Sequence, residues 1–530
     1  MKITEVYIEN FKNLDKFHIY LTDDENLNKM VMVGQNGAGK SNFLEALVLI
    51  FRDLLYDENT PPFKYAIKYI CSDKKIEISA NPDNAKNKYK IVINGAELKS
   101  KTTFNKRHKV ENLLPRYVFA YYSGFSNRLE EHFDKSQNKF YDDLLAGKDE
   151  PFRPLFYAQP VHSNFVLLAF YAFQDKETRL FLENHLNIVG LESALFVIKE
   201  PNWHKGKKRE EGNIKFWYSK GFVSTFLDHL FKKSLAPIKH TIEIRTDFRH
   251  KPTPTECWYL YLESQEKLEE LASEYTSNVD FFKALESTYI SDLIHETRIK
   301  VRKKDAAGNI TFKELSEGEQ QLLMVLGLLK FTKNEESLFL LDEPDTHLNP
   351  LWEYKYLDLL DKVVGDYKNS QMIMSTHHAL TIGSLEKEQI RVFFRKDGKI
   401  DNYMPHINPK GMSIDGILTS DIFGLTTTID KDTYEEILKR RRLFSKKLDL
   451  EKKGESLSKE EAQELQRITE EMGTKSMPYH DPLFWDFIAA MKESDYDVYK
   501  ITEPLSEENK QERLKKAKEA YEKAKKQRGL

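Results

Sequence analysis

Gly34-Gln35-Asn36-Gly37-Ala38-Gly39-Lys40-Ser41, followed by Asn42, is a glycine-rich turn that ends in an amine and a hydroxyl. Glycines let successive backbone N–H groups turn inward around phosphate oxygens, which side chains would otherwise obstruct. A helix starting at the turn adds the positive end of its dipole. The spacing G-x-x-x-x-G-K-[ST] places the lysine on the β- and γ-phosphates of a nucleotide and the hydroxyl on Mg²⁺. Gly34 to Asn42 is therefore the expected cradle for ATP, with Lys40 on the phosphates and Ser41 on the metal. A second group is Ser337-Leu338-Phe339-Leu340-Leu341-Asp342-Glu343-Pro344, an apolar strand that presents two adjacent carboxylates at its end. Asp342 can complete the Mg²⁺ shell, directly or through water, while Glu343 orients and deprotonates an attacking water.

The elements around these residues fit such a site. Val6, Ile8, Phe17, Ile19 and Leu21 alternate with polar residues as in half-buried strands, and Met30-Val31-Met32-Val33 is a short buried-strand run ending at Gly34. Beyond the glycines, Phe43, Leu44, Ala46, Leu47 and Ile50 recur at helical spacing. Strand, glycine turn and helix open an α/β sheet. The buried-strand pattern returns at Leu338–Leu341 and Met372–Met374, with a helix-like stretch from Leu351 to Val364 between them. The sheet is thus expected to be mixed, flanked by helices and built from both ends of the chain. From about Ser126 to Asp292 apolar and aromatic residues take helical spacing without a sustained heptad, which predicts a compact, mainly helical insertion and excludes a long coiled coil. The expected divisions are 1–125 and 293–405 for the two parts of the head, 126–292 for the insertion and 406–530 for a helical extension. In that extension Ser458-Lys459-Glu460-Glu461 has the spacing of a helix start, predicting a helical hairpin between about Thr433 and Met472.

Leu315-Ser316-Glu317-Gly318-Glu319-Gln320-Gln321 lies ahead of the carboxylate strand and is followed by an apolar helix pattern. It resembles the Leu-Ser-Gly-Gly-Gln signature of ABC-type ATPases, in the branch related to chromosome-structure and recombination ATPases. The resemblance implies that two copies close face to face, the signature of one covering the γ-phosphate held by the other. A serine hydroxyl, a glycine N–H and a helix N-terminus make an anion site, so Ser316, Gly318 and Glu319 join the expected nucleotide contacts. Glu317 replaces the first glycine of the signature and Glu319 stands where glutamine is usual; two added carboxylates near a triphosphate would slow turnover. Asp345-Thr346-His347-Leu348-Asn349-Pro350 resembles the loop through which paired subunits sense each other. His377, in Ser375-Thr376-His377, stands where the family's switch histidine is expected and would bond the γ-phosphate and the attacking water. The family's metal-side glutamine has no clear counterpart; Ser123, in Tyr122-Ser123-Gly124, occupies the place.

Ser-Glu-Gly-Glu-Gln, Ser-Thr-His-His and the segment from Gly411 to Leu425 together resemble the ATPase of Septu-type antiphage systems, also found beside some retrons. That resemblance implies a separate HNH endonuclease governed by the ATPase, with a retron reverse transcriptase and its DNA as further candidate partners. No set of nuclease ligands is legible between Arg395 and Leu530, so the chain reads as an ATPase without its own nuclease. The long separation between phosphate loop and signature argues against a transporter subunit. Two other readings stay open: a DNA-repair or chromosome-type ATPase that holds DNA ends through basic runs such as 107–109, 205–209 and 439–442, and a nucleotide-gated scaffold with little turnover. The aromatic segment Pro482–Phe487 is a candidate docking surface for the nuclease.

With 530 residues, 40% of them hydrophobic, the chain can bury a large core, and a net charge of −3 favours no particular partner. The longest clean apolar run, Phe165–Phe173, is far too short for a membrane helix. Residues 1–5 enter a strand pattern directly, so no leader is expected. Two isolated cysteines, Cys71 and Cys257, exclude a disulfide framework or zinc cluster and fit a reducing cytoplasm.

Overall fold

The computed structural model describes residues 1–472 except 23–26, 57, 125, 149–152, 174–175, 205–210, 246–248, 250, 305–308, 312–314, 365–368 and 452, together with 515–516, 518–519 and 521–522. The basic run at 205–209 and the aromatic segment at 482–487 lie outside the described residues. Contacts divide the chain into a unit Met1–Thr426 and a unit Thr427–Leu530.

The first unit is organised by a seven-stranded sheet. Its order is Lys399–Tyr403, Ile390–Lys396, Lys29–Gly34, Ser370–Ser375, Ser337–Asp342, Tyr117–Tyr122 and Leu155–Tyr157. All neighbours are parallel except the hairpin formed by the first two. The sheet is therefore mixed and assembled from both ends of the chain. Parallel strands covered on both faces need apolar residues at every position, which is why these segments are continuous apolar runs. Alternate residues then feed two different cores. Val31, Val33, Phe339, Leu341, Met372 and Met374 enter one, whereas Met30, Met32, Leu338, Leu340 and Ile373 enter the other.

The second of these cores holds the helix Lys40–Leu55, twelve of whose sixteen residues are buried. A six-stranded antiparallel sheet contributes to the same core, in the order Leu14–Tyr20, Lys2–Phe11, Tyr65–Cys71, Lys74–Ala80, Tyr89–Ile93 and Ala96–Glu97. A helix covered this completely fixes the glycine turn at its start as rigidly as the strand that leads into it. On the opposite face the helix Glu317–Thr332 packs against Val161–Ala172. The two approach so closely at Gly327 that a Cβ there would lie 2.2 Å from Val166 Cγ1.

Helices supply most of the regular structure between 126 and 292, as expected. The region also contains strands of a five-stranded antiparallel sheet that the helical spacing does not reveal: Ile238–Ile244, Thr253–Leu262, Ile188–Lys199, Ile294–Lys303 and Asn309–Thr311, in that order. Leu260 and Leu262 are buried on one side of the strand Thr253–Leu262 and Thr255 and Cys257 on the other, so neither period dominates its sequence. The first unit runs on to Thr426, and residues 406–426, expected in the extension, pack with the head through Ile417 and Ile422. The second unit contains the helices Lys431–Glu451 and Lys459–Met472, tied by Lys439–Glu464 and Lys446–Glu461 at 2.6 Å each. Ser458 accepts the Glu461 N–H at 3.2 Å and starts the second helix.

Candidate nucleotide site

Three strands of the central sheet end at one cleft. The strand Lys29–Gly34 delivers the glycine turn, Ser337–Asp342 the two carboxylates and Ser370–Ser375 the histidine segment. A cleft of about 460 Å³ is lined by Asn36, Gly37, Ala38, Gly39, Lys40, Ser41 and Asn42 from the turn, with Asn13, Arg128, Glu343 and His377. Gly34 and Gln35 contribute their carbonyls: Lys40 Nζ donates to Gly34 O at 2.8 Å and to Gln35 O at 3.4 Å. Two glycines of the turn are demanded by conformation and space. Gly39 takes φ +91° as it caps the helix, and a Cβ on Gly34, at φ +142°, would lie 2.1 Å from Phe393 O. Burial draws the Lys40 ammonium down to about 8 against the pull of Glu343 and Asp342. Such an ammonium, taken out of water and hydrogen-bonded to loop carbonyls, gains a directly bonded countercharge when a phosphate enters.

Asp342 is buried and receives the Ser375 hydroxyl. Burial pushes its carboxyl up, while hydrogen bonds from Ser375 and Ser41 favour the ionised form. The Ser41 hydroxyl and the Asp342 carboxylate thus meet, a donor pair that suits Mg²⁺. That ion takes one or two protein oxygens and fills the rest of its octahedron with phosphates and water. Among the described residues no cluster of three or more His, Cys, Asp or Glu offers an all-protein metal cage.

Glu343 Oε1 lies 2.5 Å from His377 Nε2. The hydrogen bond from His377 holds the Glu343 carboxyl below its ordinary range, overcoming the effect of burial. Glu343 has φ +54°, a left-handed conformation that costs a non-glycine residue about 1–3 kcal/mol. Its N–H is bonded to Ser375 O at 3.1 Å and Ser375 Oγ at 3.2 Å, so the neighbouring strand enforces the turn that aims the side chain into the cleft. Behind it Asp345 is fully buried and accepts the Thr376 and Thr381 hydroxyls at 2.6 Å each. This locks the Asp345–Pro350 loop onto the histidine segment. Ser123 donates its N–H to Asp342 O at 3.2 Å, and its hydroxyl stands 3.5 Å from that of Thr346. His378 and His347 face Glu353 and Glu317 at 3.1 and 3.6 Å.

Ser316, Gly318 and Glu319 are not among the residues that line this cleft. They begin the helix Glu317–Thr332 as a reciprocal cap: Ser316 Oγ accepts the Glu319 N–H at 3.2 Å, and Glu319 Oε2 accepts the Ser316 N–H at 2.7 Å. Lys303 holds the other Glu319 oxygen at 3.1 Å. A carboxylate of the same chain therefore occupies the helix start that a phosphate would use. Gly318 is fixed by space, since a Cβ there would lie 2.4 Å from His347 O.

The spacing-based reading missed the far wall. Asn13 Nδ2 donates to Gly37 O at 3.1 Å, and Asn42 Nδ2 donates to Asn13 Oδ1 at 2.6 Å. Arg128 bonds Asn42 Oδ1 and, at 2.8 Å, Glu45 Oε2. Glu45 is buried and also takes Lys12 at 2.5 Å and His132 at 2.8 Å. Burial alone would raise its carboxyl, but hydrogen bonds from His132, Lys12 and Arg128 bring it down to about 2. One sequence signal pointed here: Glu45 is a charged residue on the apolar stretch of a helix, a position that requires paired cations.

Known proteins resemble parts of the chain. The model of the AAA ATPase domain matches residues 1–188, and that of the AAA domain, putative AbiEii toxin, Type IV TA system, matches 160–383. Septu protein PtuA of Bacillus mycoides is 26% identical over 178 residues, covering 31% of this chain and 24% of that protein. Retron Vc95 probable ATPase of Vibrio cholerae is 28% identical over 159 residues, 28% of this chain and 29% of that protein. The chain spans less than a third of the length of these curated relatives. The SMC head domain from Thermotoga maritima superposes with a TM-score of 0.32 at 13% identity, over 77% of this chain and all of that one.

Proposed function

We propose that the chain is an ATPase related to the Septu protein and that it binds and hydrolyses Mg·ATP in the cleft between Lys40 and Glu343. The observation that carries this reading is the convergence of Lys40, Ser41, Asp342, Glu343 and His377 from three sheet strands at one cleft. Lys40 exchanges its bonds to loop carbonyls for the β- and γ-phosphates. Ser41 and Asp342 hold Mg²⁺, which when bound neutralises phosphate charge. Glu343, kept ionised by His377, accepts a proton from the attacking water, and His377 donates to the carboxylate and then senses the γ-phosphate. Gly34 to Asn42 bind the nucleotide.

We further propose that Ser316, Gly318 and Glu319 act on the nucleotide of a second copy, so that two protomers close around ATP. In the cell, taken to be the cytoplasm, nucleotide state then governs a separate HNH-type nuclease of an antiphage system, with the unit from 427 onward as the docking region. A slower variant of the same engine, a nucleotide-gated scaffold, is favoured by one observation: the Glu319 carboxylate caps its own signature helix, where it would compete with a phosphate. The test compares nucleotide binding and phosphate release. Lys40→Ala should lose ATP binding, whereas Glu343→Gln should retain it and turn over about 100-fold more slowly. Parental turnover in Glu343→Gln would remove Glu343 as the base.

A further inference from the structure

Among the described residues, the five-stranded sheet ends in a strand with no neighbour on its outer edge. Ile238–Ile244 pairs with Thr253–Leu262 on one side only, and its residues are exposed or half-buried throughout. Its register to the neighbour is unbroken from Ile238 to Ile244, without a bulge, and it contains no proline. Two of the usual protections of such an edge, a bulge and a proline, are therefore missing, while the charges of Lys239 and Glu243 stand on one face of it. Beside it lies an apolar cleft of about 490 Å³, where Leu235 and Ile238 are 63% and 58% exposed.

The sequence of this edge is complementary to itself when reversed. An antiparallel two-fold centred on Thr241 sets Lys239 opposite Glu243 of the other copy, twice, and Thr241 opposite Thr241. On the other face it sets Ile238 opposite Ile244 and His240 opposite Ile242. One face of the seam thus carries two opposite-charge pairs, each drawing on a Lys239 that within its own chain also pairs with Glu256 at 2.8 Å, and the other a row of isoleucines interrupted by His240 and continuous with the apolar cleft. Cross-strand pairs of both kinds stabilise, and like charges directly opposite destabilise. Slipping the centre by one residue loses the Lys–Glu match. An edge that aligns its charges only with its own inverse is suited to a second copy of the chain.

We propose that Ile238–Ile244 joins the same strand of another protomer, fusing two five-stranded sheets across a two-fold axis without nucleotide. This is a self-association surface separate from the ATP-dependent closure above; it uses no residue of the cleft and stands whether or not that closure occurs.

The test uses the full chain without nucleotide. Thr241→Cys places two thiols at the axis, roughly 5 Å apart at Cβ. Because Cys71 and Cys257 are buried, the new cysteine should be cross-linked to a covalent dimer by a short bis-maleimide. Val110→Cys, 83% exposed on the helix Lys101–Glu111 against the six-stranded sheet, should label with mono-maleimide but not cross-link. Glu243→Lys should raise the concentration for half-dimerisation about tenfold or more, and the added exchange Lys239→Glu should restore it. A Thr241→Cys protein that labels yet yields no more dimer than Val110→Cys would overturn the proposal. So would a double exchange that dissociates as readily as Glu243→Lys, or a parental chain that is monomeric at every concentration and leaves the edge to another protein.

Discussion

Replacing Glu45 by Gln should separate the electrostatics of the far wall from its shape. Glutamine fills the same space and still accepts a hydrogen bond, but it offers no charge to Lys12, Arg128 and His132, which converge on Glu45 at 2.5–2.8 Å. Holding the carboxyl at about 2 rather than 4.5 is worth about 3 kcal/mol at neutral pH. Because the folded-state value is the depressed one, this stabilisation is complete above pH 4.5 and is lost as the pH falls towards 2; at pH 3 less than half of it is left. Urea unfolding of the parental chain and of Glu45→Gln should therefore differ by about 3 kcal/mol at pH 7, and by less than half of that at pH 3. Breaking a buried ion pair from one side typically costs about 3–5 kcal/mol, the same range. Nucleotide affinity should fall as well, because Arg128 lines the cleft and loses its anchor. A difference under about 1 kcal/mol at pH 7, or one that does not shrink in acid, would refute the reasoning.

Two further outcomes follow from the signature helix. Glu319→Gln keeps an acceptor for the Ser316 N–H but removes the negative charge and the pairing to Lys303. Unfolding should shift by about 1 kcal/mol or less, while steady-state phosphate release rises; unchanged or lower turnover would count against the cap as a brake. Gly318→Ala drives a methyl to 2.4 Å from His347 O. It should cost about 1–3 kcal/mol on urea unfolding, and a stability equal to the parent would show that the two segments part easily.

The sheet was legible because parallel strands leave no ambiguity of face: Met30–Val33, Leu338–Leu341 and Met372–Met374 are apolar at every position, and their order in the chain forced a sheet built from both ends. The glycine turn was legible for a related reason, since Gly34 and Gly39 occupy backbone states or spaces closed to other residues. The far wall was not. Lys12, Asn13 and Arg128 reach Glu45 and Asn42 from remote elements, and no spacing in one dimension encodes that meeting. The five-stranded sheet was obscured because its strand Thr253–Leu262 is buried on one side at one end and on the other side at the other. Glu319 was recognised as a departure, but its consequence was not, because a capping partner and a phosphate contact have the same sequence signature.

The shared pocket is tested most directly by mixing two inactive proteins. Lys40→Ala cannot hold the triphosphate, and Ser316→Arg cannot present its signature helix. If two protomers close as proposed, a mixed pair nevertheless contains one cleft with Lys40 from one protomer facing Ser316 of the other. Phosphate release should reappear on mixing, at up to about half the parental rate per pair. Mixed pairs that form, as shown by differential tagging, yet remain as inactive as either parent would contradict the account.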